Sequence, residues 1–324
     1  MKLASFEVGG ADRIGFAVSE TELVSLTEAA KLIGRADDCP RNMIELIEQG
    51  DSGLALARAA EAALRAQPQA VTKIAIASVT WHPPVRRPLK IVCLALNNSA
   101  NADRIIKGPS MPALFIKTAS SLIGHDGAIE CREEYGRVHP EPELAIIIGK
   151  KARNVLPQDS MDHIFGYSIF NDITSPTMRQ QDTFHYRAIH PKNGNPDEIE
   201  YVDSWVSYSG RYKGSDTFGC LGPWIVTKDE IDDPHDLDVT CRHRDRLVTQ
   251  DNTRNLFHKT KDVIAFVSRY MTLDPGDVIA MGTALKKSAA GGAIQNIDLN
   301  RLGGPISITI EKIGTLSNRV THIP

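Results

Sequence analysis

Two glutamates stand two residues apart at the start of an apolar segment of the chain. Glu141 and Glu143 flank Pro142 and lead into the run LAIII at residues 144–148. In a β-strand, residues i and i+2 project from the same face, so the two carboxylates are expected side by side. The run is apolar on both faces, which is typical of a buried strand. Pro142 lacks an amide proton and suits the first residue of such a strand.

A third carboxylate, Asp172, ends a second apolar segment at residues 164–172. Neighbouring carboxylates repel each other, and a bound cation is the usual way of keeping them ionised. Three carboxylates without His or Cys form an oxygen-only ligand set, which favours Mg²⁺, Mn²⁺ or Ca²⁺ over Zn²⁺. The alternative is that these acids are solvated strand-edge or turn residues, because charged side chains mostly lie at protein surfaces.

Composition predicts an ordinary globular protein. The chain has 324 residues, 42% of them hydrophobic, and a formal net charge of −3. This near-neutral balance argues against a nucleic-acid or membrane-surface partner. No apolar run approaches the roughly 18 residues of a membrane helix, and the N-terminus lacks the apolar core of a signal peptide. Five scattered cysteines without a C-x-x-C pair are expected to be core residues in a reducing cytoplasm.

Residues 1–84 are predicted to form a small N-terminal α+β domain. Short strand-like runs come first, and helical patterns follow at residues 42–49 and 54–64. The proline-rich, basic stretch at residues 82–88 marks a joint, with residues 85–324 as the larger domain. Nothing before the joint suggests chemistry, so this unit is interpreted as a lid, a dimerisation element or an added layer.

The sequence pattern of the larger domain predicts a β-rich α+β fold. Only one long helix is predicted, around residues 255–270, and many strands with few helices argue against a doubly wound sheet. No G-x-G-x-x-G or G-x-S-x-G motif occurs, which argues against a dinucleotide-binding fold and a serine hydrolase. Seven strand-like runs are predicted, at residues 90–96, 113–118, 143–149, 164–170, 223–227, 278–282 and 306–310.

Several sequence motifs follow one another in a characteristic order and spacing along residues 89–322. They are EPELAIIIGKKARNV, GYSIFNDIT, RYKGSDTFGCLGPWIVT and YMTLDPGDVIAMGTA, with ALFIKTASSLIG before them and ITIEKIGTLSNRV after them. Together they resemble the fumarylacetoacetate hydrolase superfamily. The resemblance implies a roll of mixed β-sheets around a metal site and a homodimer. It also implies Mg²⁺ or Mn²⁺ bound by Glu141, Glu143 and Asp172.

The resemblance further implies a small carboxylic acid substrate, typically a 2,4-dioxo acid (an acylpyruvate) or another 2-oxo acid. Such an acid can chelate a divalent ion that has open coordination positions. The ion then stabilises the enolate that is left when a neighbouring bond breaks. Lys213 matches a family lysine that places positive charge beside the substrate, and we expect it to act in catalysis with Glu143. Substrate-binding roles are expected for Lys117, Arg179, Gln180 and Thr283.

The chain departs from the family at the usual general base. Hydrolytic members carry N-Y-x-x-H-x-x-E on a mobile lid, and here Asn101 and Arg104 align with its His and Glu. Asn cannot act as a base near neutral pH. Pro176 also stands where the N-D-x-S-x-R motif has its Arg. On the same lid, Arg104 or Lys107 is a candidate contact for a second substrate carboxylate.

Two explanations of the missing dyad stay open. Another group replaces it, the candidates being His139, His185, His190 and His258, although many family members also carry a His at the position of His139. Alternatively, the enzyme activates no water and works as a decarboxylase, dehydratase or keto–enol isomerase. The leading prediction is a metal-dependent C–C bond hydrolase, followed by such a lyase or isomerase, and then by a non-catalytic binding protein.

Overall fold

The computed structural model describes residues 1–98, 110–284 and 294–324. Within these ranges the chain forms three β-sheets and seven α-helices. The strands are β1 (Lys2–Val8), β2 (Ala11–Ala17), β3 (Glu22–Ser25), β4 (Ile74–Ala75), β5 (Thr80–Trp81), β6 (Ile91–Ala95), β7 (Ala113–Lys117), β8 (Leu122–Ile123), β9 (Ala128–Cys131), β10 (Pro142–Ile148), β11 (Ile164–Asp172), β12 (Thr183–Lys192), β13 (Asn195–Ser207), β14 (Gly219–Thr227), β15 (Asp238–His243), β16 (Arg246–Asn252), β17 (Val278–Ala280), β18 (Ile306–Ile310) and β19 (Gly314–His322). The helices are α1 (Leu26–Ala30), α2 (Met43–Glu48), α3 (Asp51–Ala66), α4 (Pro176–Gln181), α5 (Gly210–Gly214), α6 (Thr260–Tyr270) and α7 (Leu299–Leu302).

A mixed twelve-stranded sheet dominates the described part of the molecule. Its main path runs β4-β3-β2-β1-β14-β11-β10-β17-β6-β7, with β5 beside β1 and β8 beside β14. Most neighbours are antiparallel, whereas β17–β6 and β14–β8 are parallel. A second sheet has the order β16-β15-β18-β19-β9, and β12 pairs only with β13 in a long hairpin. The predicted β-rich α+β class with mixed sheets is confirmed.

Strand β10 lies at the centre of the large sheet and is buried on both faces, as its sequence predicts. Leu144, Ile146 and Ile148 pack in the core shared with the five-stranded sheet. The alternate residues, Ala145 and Ile147, pack in the core formed with the N-terminal helices. Two-sided burial of a central strand anchors its ends rigidly, which matters because the carboxylates lie at one end.

The N-terminal segment continues the large sheet. Strand β1 is hydrogen-bonded to β14, with Leu3 opposite Ile225, and helices α1–α3 cover the adjoining face. The predicted helix at residues 42–49 is α2, whose cap residue Asn42 accepts a hydrogen bond from the amide of Glu45 at 3.0 Å. The domain boundary after residue 84 stays a prediction.

Two local predictions differ from the structure. Helix α6 begins at Thr260, because residues 253–255 form a separate turn of 3₁₀-helix. Residues 73–81 alternate in a pattern that predicts one strand, but a turn of 3₁₀-helix divides them into β4 and β5. The pair β15–β16 was not predicted. None of the helices in the described ranges is long and apolar enough to cross a membrane.

Candidate metal centre and substrate cavity

The pairing of β10 with β11 brings the three predicted carboxylates together. Pro142 lies opposite Asn171, and the amide of Asp172 donates to the carbonyl of Glu141 at 2.9 Å. Glu141 and Asp172 are therefore cross-strand neighbours, and Glu143 follows two residues along on the same face. One carboxylate oxygen from each lies within 4.8 Å of the others.

Two lysines hold these carboxylates from different sides. Lys213 donates to Glu141 Oε2 at 2.6 Å and to Asp172 Oδ2 at 2.5 Å. Lys117 donates to the other oxygen of Asp172 at 2.6 Å and to the carbonyl of Ile173 at 3.3 Å. The Lys117 side chain is fully buried. It lies behind Asp172 and does not line the cavity described below, so the structure places it against a carboxylate ligand candidate.

Glu143 is oriented by the segment that follows β17. The amide of Gly282 donates to Glu143 Oε2 at 2.8 Å, and the hydroxyl of Thr283 donates to Oε1 at 3.2 Å. Gly282 has φ +99°, and a Cβ there would lie 2.8 Å from the Cβ of Asn97. Only glycine meets both conditions without displacing its neighbours. The Gly282 amide and the Thr283 hydroxyl thus fix both carboxylate oxygens of Glu143.

The buried carboxylates shift one another's acidity. Burial, and then the charges of Asp172 and Glu141, raise the pKa of Glu143 well above its usual range. Burial also raises the pKa of Glu141, and the Asp172 charge adds to it. Burial opposes ionisation of Asp172 too, but Lys117 and Lys213 outweigh it and hold its pKa low. The cluster therefore favours a further cation beside Glu143.

Lys213 keeps its proton in this environment. Burial alone would lower the pKa of Lys213, but the Asp172 and Glu141 carboxylates outweigh burial and raise it above its ordinary value. Its ammonium group also lies 4.9 Å from the centre of the Phe115 ring, a cation–π contact. Lys213 is thus a fixed positive charge at the edge of the carboxylate cluster.

The donor set fits a hard divalent ion. Three carboxylates from two adjacent strands supply only oxygen, which is the ligand type that Mg²⁺ and Mn²⁺ favour. Glu143 and Asp172 are 1% and 0% exposed, whereas 16% of the Glu141 side chain is accessible. The carboxylate cluster is therefore accessible from the Glu141 side, which is the side from which a substrate could approach.

A cavity of about 590 Å³ opens on that side. Three residues predicted for the site line it together with Glu141, namely Arg179, Lys213 and Thr283. Gln180 is exposed on α4 and is not one of the lining residues. Of these two neighbouring candidates, Arg179 lines the cavity and Gln180 does not, and the substrate-binding role of either stays a prediction. Thr283 faces the cavity, but its hydroxyl is engaged by Glu143.

Of the four histidines that the sequence suggested, His139 lines the cavity. Burial, followed by the charges of Lys213 and Arg137, lowers its pKa to about 3, so it is neutral near pH 7. His185 stacks on Trp205 in the exposed hairpin, and His190 lies on the same hairpin. The amide of His258 donates to Asn97 Oδ1 at 2.7 Å, and His258 is not one of the residues that line the cavity.

Sequence reasoning missed several contributors. Asn171 accepts from the amide of Glu141 at 2.9 Å and fixes the start of β10, a role that the adjacent N-D motif suggests only in retrospect. Ser207, Tyr208 and Ser209 bring the base of the β12–β13 hairpin to the cavity. Asn101, Arg104 and Lys107, the lid positions of interest, lie outside the described residues.

The fold and the site together define a β-rich enzyme architecture built around a carboxylate centre. The model of the fumarylacetoacetate (FAA) hydrolase C-terminal domain matches residues 90–321. The chain therefore belongs to the fumarylacetoacetate hydrolase family, as its motifs indicate.

Curated relatives and solved structures extend this assignment. The chain is 31% identical over 282 residues to the mitochondrial oxaloacetate tautomerase Fahd2a of Rattus norvegicus, covering 87% of this chain and 80% of that protein. It is 32% identical over 283 residues to the human oxaloacetate tautomerase FAHD2A, with the same coverage. The maleylpyruvate hydrolase of Sphingobium sp. SYK-6, solved with manganese(II) and pyruvate, matches all of both chains with TM-score 0.70 and 29% identity. The chain is an enzyme of a family that contains both hydrolases and tautomerases.

Proposed function

We propose that the protein catalyses the metal-dependent keto–enol tautomerisation of a 2-oxo acid, with oxaloacetate as the substrate. The observation that carries the proposal is the convergence of three carboxylates and the Lys213 ammonium at one cavity. The curated relatives named above as oxaloacetate tautomerases support the choice of reaction and substrate.

Glu141, Glu143 and Asp172 would hold the Mg²⁺ or Mn²⁺ ion. The ion would supply Lewis-acid polarisation of the 2-oxo group, which acidifies the adjacent C3 hydrogens. Lys213 lies at the cavity edge with its charge fixed by two carboxylates, and it stabilises the negative charge that develops on the enolate oxygen. This stabilisation grows as charge develops, so it lowers the barrier rather than merely tightening binding.

Tautomerisation also moves one proton from carbon to oxygen. His139 lines the cavity as a neutral imidazole and is able to accept the C3 proton. An imidazole whose pKa is held near 3 is a weak base, which is poorly matched to the activation of water. A weaker base is enough to remove a C3 hydrogen whose acidity the metal ion has increased. A base of the strength of His139 therefore favours tautomerisation over hydrolysis.

The second candidate is hydrolysis of a C–C bond in a 2,4-dioxo acid of the acylpyruvate type. It is favoured by the full-length similarity to maleylpyruvate hydrolase. Hydrolysis needs an activated water, and the lid positions that supply the activating dyad in hydrolytic members carry Asn101 and Arg104. We therefore rank hydrolysis below tautomerisation, in reverse of the order that the sequence alone suggests.

One experiment separates the two reactions. Enol-oxaloacetate is mixed with the protein in Mg²⁺ or Mn²⁺, and loss of enol absorbance is followed with malate dehydrogenase reporting the keto form. We expect acceleration that disappears with chelator and returns on re-addition of the ion. An acylpyruvate panel in ¹⁸O-labelled water is run in parallel. Label in a released carboxylic acid, without acceleration of enol loss, would replace tautomerisation by hydrolysis.

A further inference from the structure

We infer that Arg179 binds the second carboxylate of a dicarboxylic 2-oxo acid and so sets the substrate class of the enzyme. The inference rests on the proposed function, because it assumes that the 2-oxo acid group of the substrate sits at the carboxylate cluster. Arg179 lies outside the carboxylate cluster, on helix α4.

The backbone of Arg179 is held firmly while its side chain is not. Helix α4 is anchored by Ser175, whose hydroxyl accepts from the amide of Met178 at 3.0 Å, and the Met178 side chain is buried. The amide of Arg179 donates to the carbonyl of Ser175 at 3.0 Å, and its own carbonyl accepts from the hydroxyl of Thr183 at 2.7 Å. Within residues 1–98, 110–284 and 294–324, the guanidinium group makes no hydrogen bond or ion pair.

The other permanent cation of the cavity lining is already engaged. Lys213 is bonded to Glu141 and Asp172, so its charge lies at the carboxylate cluster, where the proposed function places the 2-oxo acid group of the substrate. Among the arginine and lysine residues of the described lining, Arg179 is therefore the one left to pair with an anionic group that enters the cavity. Thr174 and Tyr208, which also line the cavity, are neutral.

The chemistry of the guanidinium points to a carboxylate. Its planar fork of N–H donors pairs with a carboxylate through two parallel hydrogen bonds, which gives both affinity and orientation. A 2-oxo acid with one carboxylate at the metal end leaves nothing anionic for Arg179. A dicarboxylic 2-oxo acid presents its second carboxylate away from the metal end, toward the remainder of the cavity. Arg179 would thus distinguish these two substrate classes by charge.

The test compares two matched substrates. Oxaloacetate and its 4-methyl ester share the 2-oxo acid group, but the ester lacks the second charge. Enzyme-catalysed exchange of the C3 hydrogens with deuterium is measured by proton NMR in the presence of Mg²⁺, for wild type, Arg179→Gln, Arg179→Lys and Arg187→Gln. Arg187 is a matched control, because it is an exposed arginine of the nearby hairpin that pairs with Asp203 and does not line the cavity.

We expect Arg179→Gln to lower kcat/KM for oxaloacetate by roughly 10- to 100-fold, the range for losing a hydrogen bond to a charged group. The ester should be processed equally by wild type and variant, Arg179→Lys should recover part of the loss, and Arg187→Gln should match wild type. Calorimetric titration of the Mn²⁺-loaded protein with malate and with 2-hydroxybutyrate gives a readout independent of turnover. Only malate binding should weaken in Arg179→Gln.

The outcomes separate this inference from the proposed function. If wild type catalyses no metal-dependent exchange with either substrate, the proposed function is wrong. If wild type is active and Arg179→Gln treats oxaloacetate as wild type does, the assignment of Arg179 is overturned while the proposed function survives. Equal losses for oxaloacetate and its ester would also overturn it, because they would indicate a general effect on the site instead of recognition of the second carboxylate.

Discussion

The amide of Asp172 donates to the carbonyl of Glu141 at 2.9 Å, so two candidate metal ligands are joined through their backbones. The spacing of the two carboxylates is thus set by strand pairing, and it does not depend on either side chain. Substitutions of these side chains leave that hydrogen bond in place. The centre can therefore be tested one ligand at a time without dismantling β10 and β11.

Glu143→Gln should strongly weaken metal binding while stabilising the metal-free protein. Gln keeps one oxygen for the amide of Gly282 but removes a charge whose ionisation is opposed by burial and by two neighbouring carboxylates. We expect Mn²⁺ affinity to fall at least about 100-fold, beyond the loss typical of outer ligand contacts. Calorimetric titration measures the affinity, and urea unfolding in chelator measures the stability.

Glu134→Gln is the control for this substitution, since Glu134 is exposed and outside the cluster. It should bind Mn²⁺ as wild type does. Full activity of Glu143→Gln after chelation and re-addition of Mg²⁺ would show that the metal centre is elsewhere.

Lys213→Met should lose turnover and keep the metal. Asp172 retains Lys117 as a partner in this variant, so the cluster stays partly compensated. Loss of one stabilising group at a developing oxyanion typically lowers kcat by about 10²- to 10³-fold. The experiment follows enol loss at saturating Mn²⁺, with affinity for the ion measured separately. A variant that turns over normally would remove Lys213 from the mechanism.

Lys117→Met should act on stability instead. Both members of the Lys117–Asp172 pair are buried, and removing one partner of such a pair costs about 3–5 kcal/mol of unfolding free energy. Saturating Mn²⁺ should restore part of the loss, because the ion offsets the uncompensated carboxylate. Urea midpoints with chelator and with Mn²⁺ give both values. Lys228→Met, which removes an exposed lysine, should leave them unchanged.

The positions of the three carboxylates were predictable because they follow from a local rule. The two-residue period of a strand places Glu141 and Glu143 together, and an apolar run ending in Asp172 identifies the neighbouring strand. Pairing of the two strands then brings Asp172 beside the two glutamates. In α4 the same kind of rule was not decisive, because successive helical residues point about 100° apart and a one-residue alignment error exchanges Arg179 for Gln180.

The pairing of strands that lie far apart in the chain could not be predicted from the sequence. Strand β1 joins β14 across more than two hundred residues, and nothing in either segment encodes that partner. Helix α6 starts later than its pattern suggests because the residues before it are held by contacts far away in the chain. The amide of Leu237 donates to the hydroxyl of Thr253 at 3.0 Å, and Asn97 accepts from the amide of His258. Tertiary contacts of this kind override local propensity.

Homodimerisation is the state that the family resemblance implies, and it stays a prediction. Sedimentation equilibrium should give twice the 35.5 kDa of one chain across a range of protein concentrations. A mass of one chain throughout that range would contradict it. The same measurement on Glu143→Gln checks whether the oligomeric state depends on the metal centre.

His235 should make folding stability depend on pH below about pH 6.5. Its Nε2 accepts from the amide of Thr260, the first residue of α6, at 3.0 Å, while Nδ1 lies 3.2 Å from Asp233. Burial lowers the pKa of His235, Asp233 and Asp262 oppose that shift, and Lys259 adds to it. The folded protein therefore holds the imidazole neutral where the unfolded chain, with a pKa of about 6.5, begins to protonate it. Stability is present above about pH 6.5 and is lost as the pH falls toward the folded pKa, because the unfolded state binds more protons there.

Protonation of His235 would remove the acceptor for Thr260 and place positive charge at the N-terminus of α6, and both effects are unfavourable. Urea midpoints measured at about pH 7.5 and about pH 5.5 should differ less in His235→Gln than in wild type, since Gln does not titrate. His190→Gln, which changes an exposed histidine of the hairpin, should keep the wild-type difference. An unchanged pH dependence in His235→Gln would show that protonation of this helix cap does not govern stability.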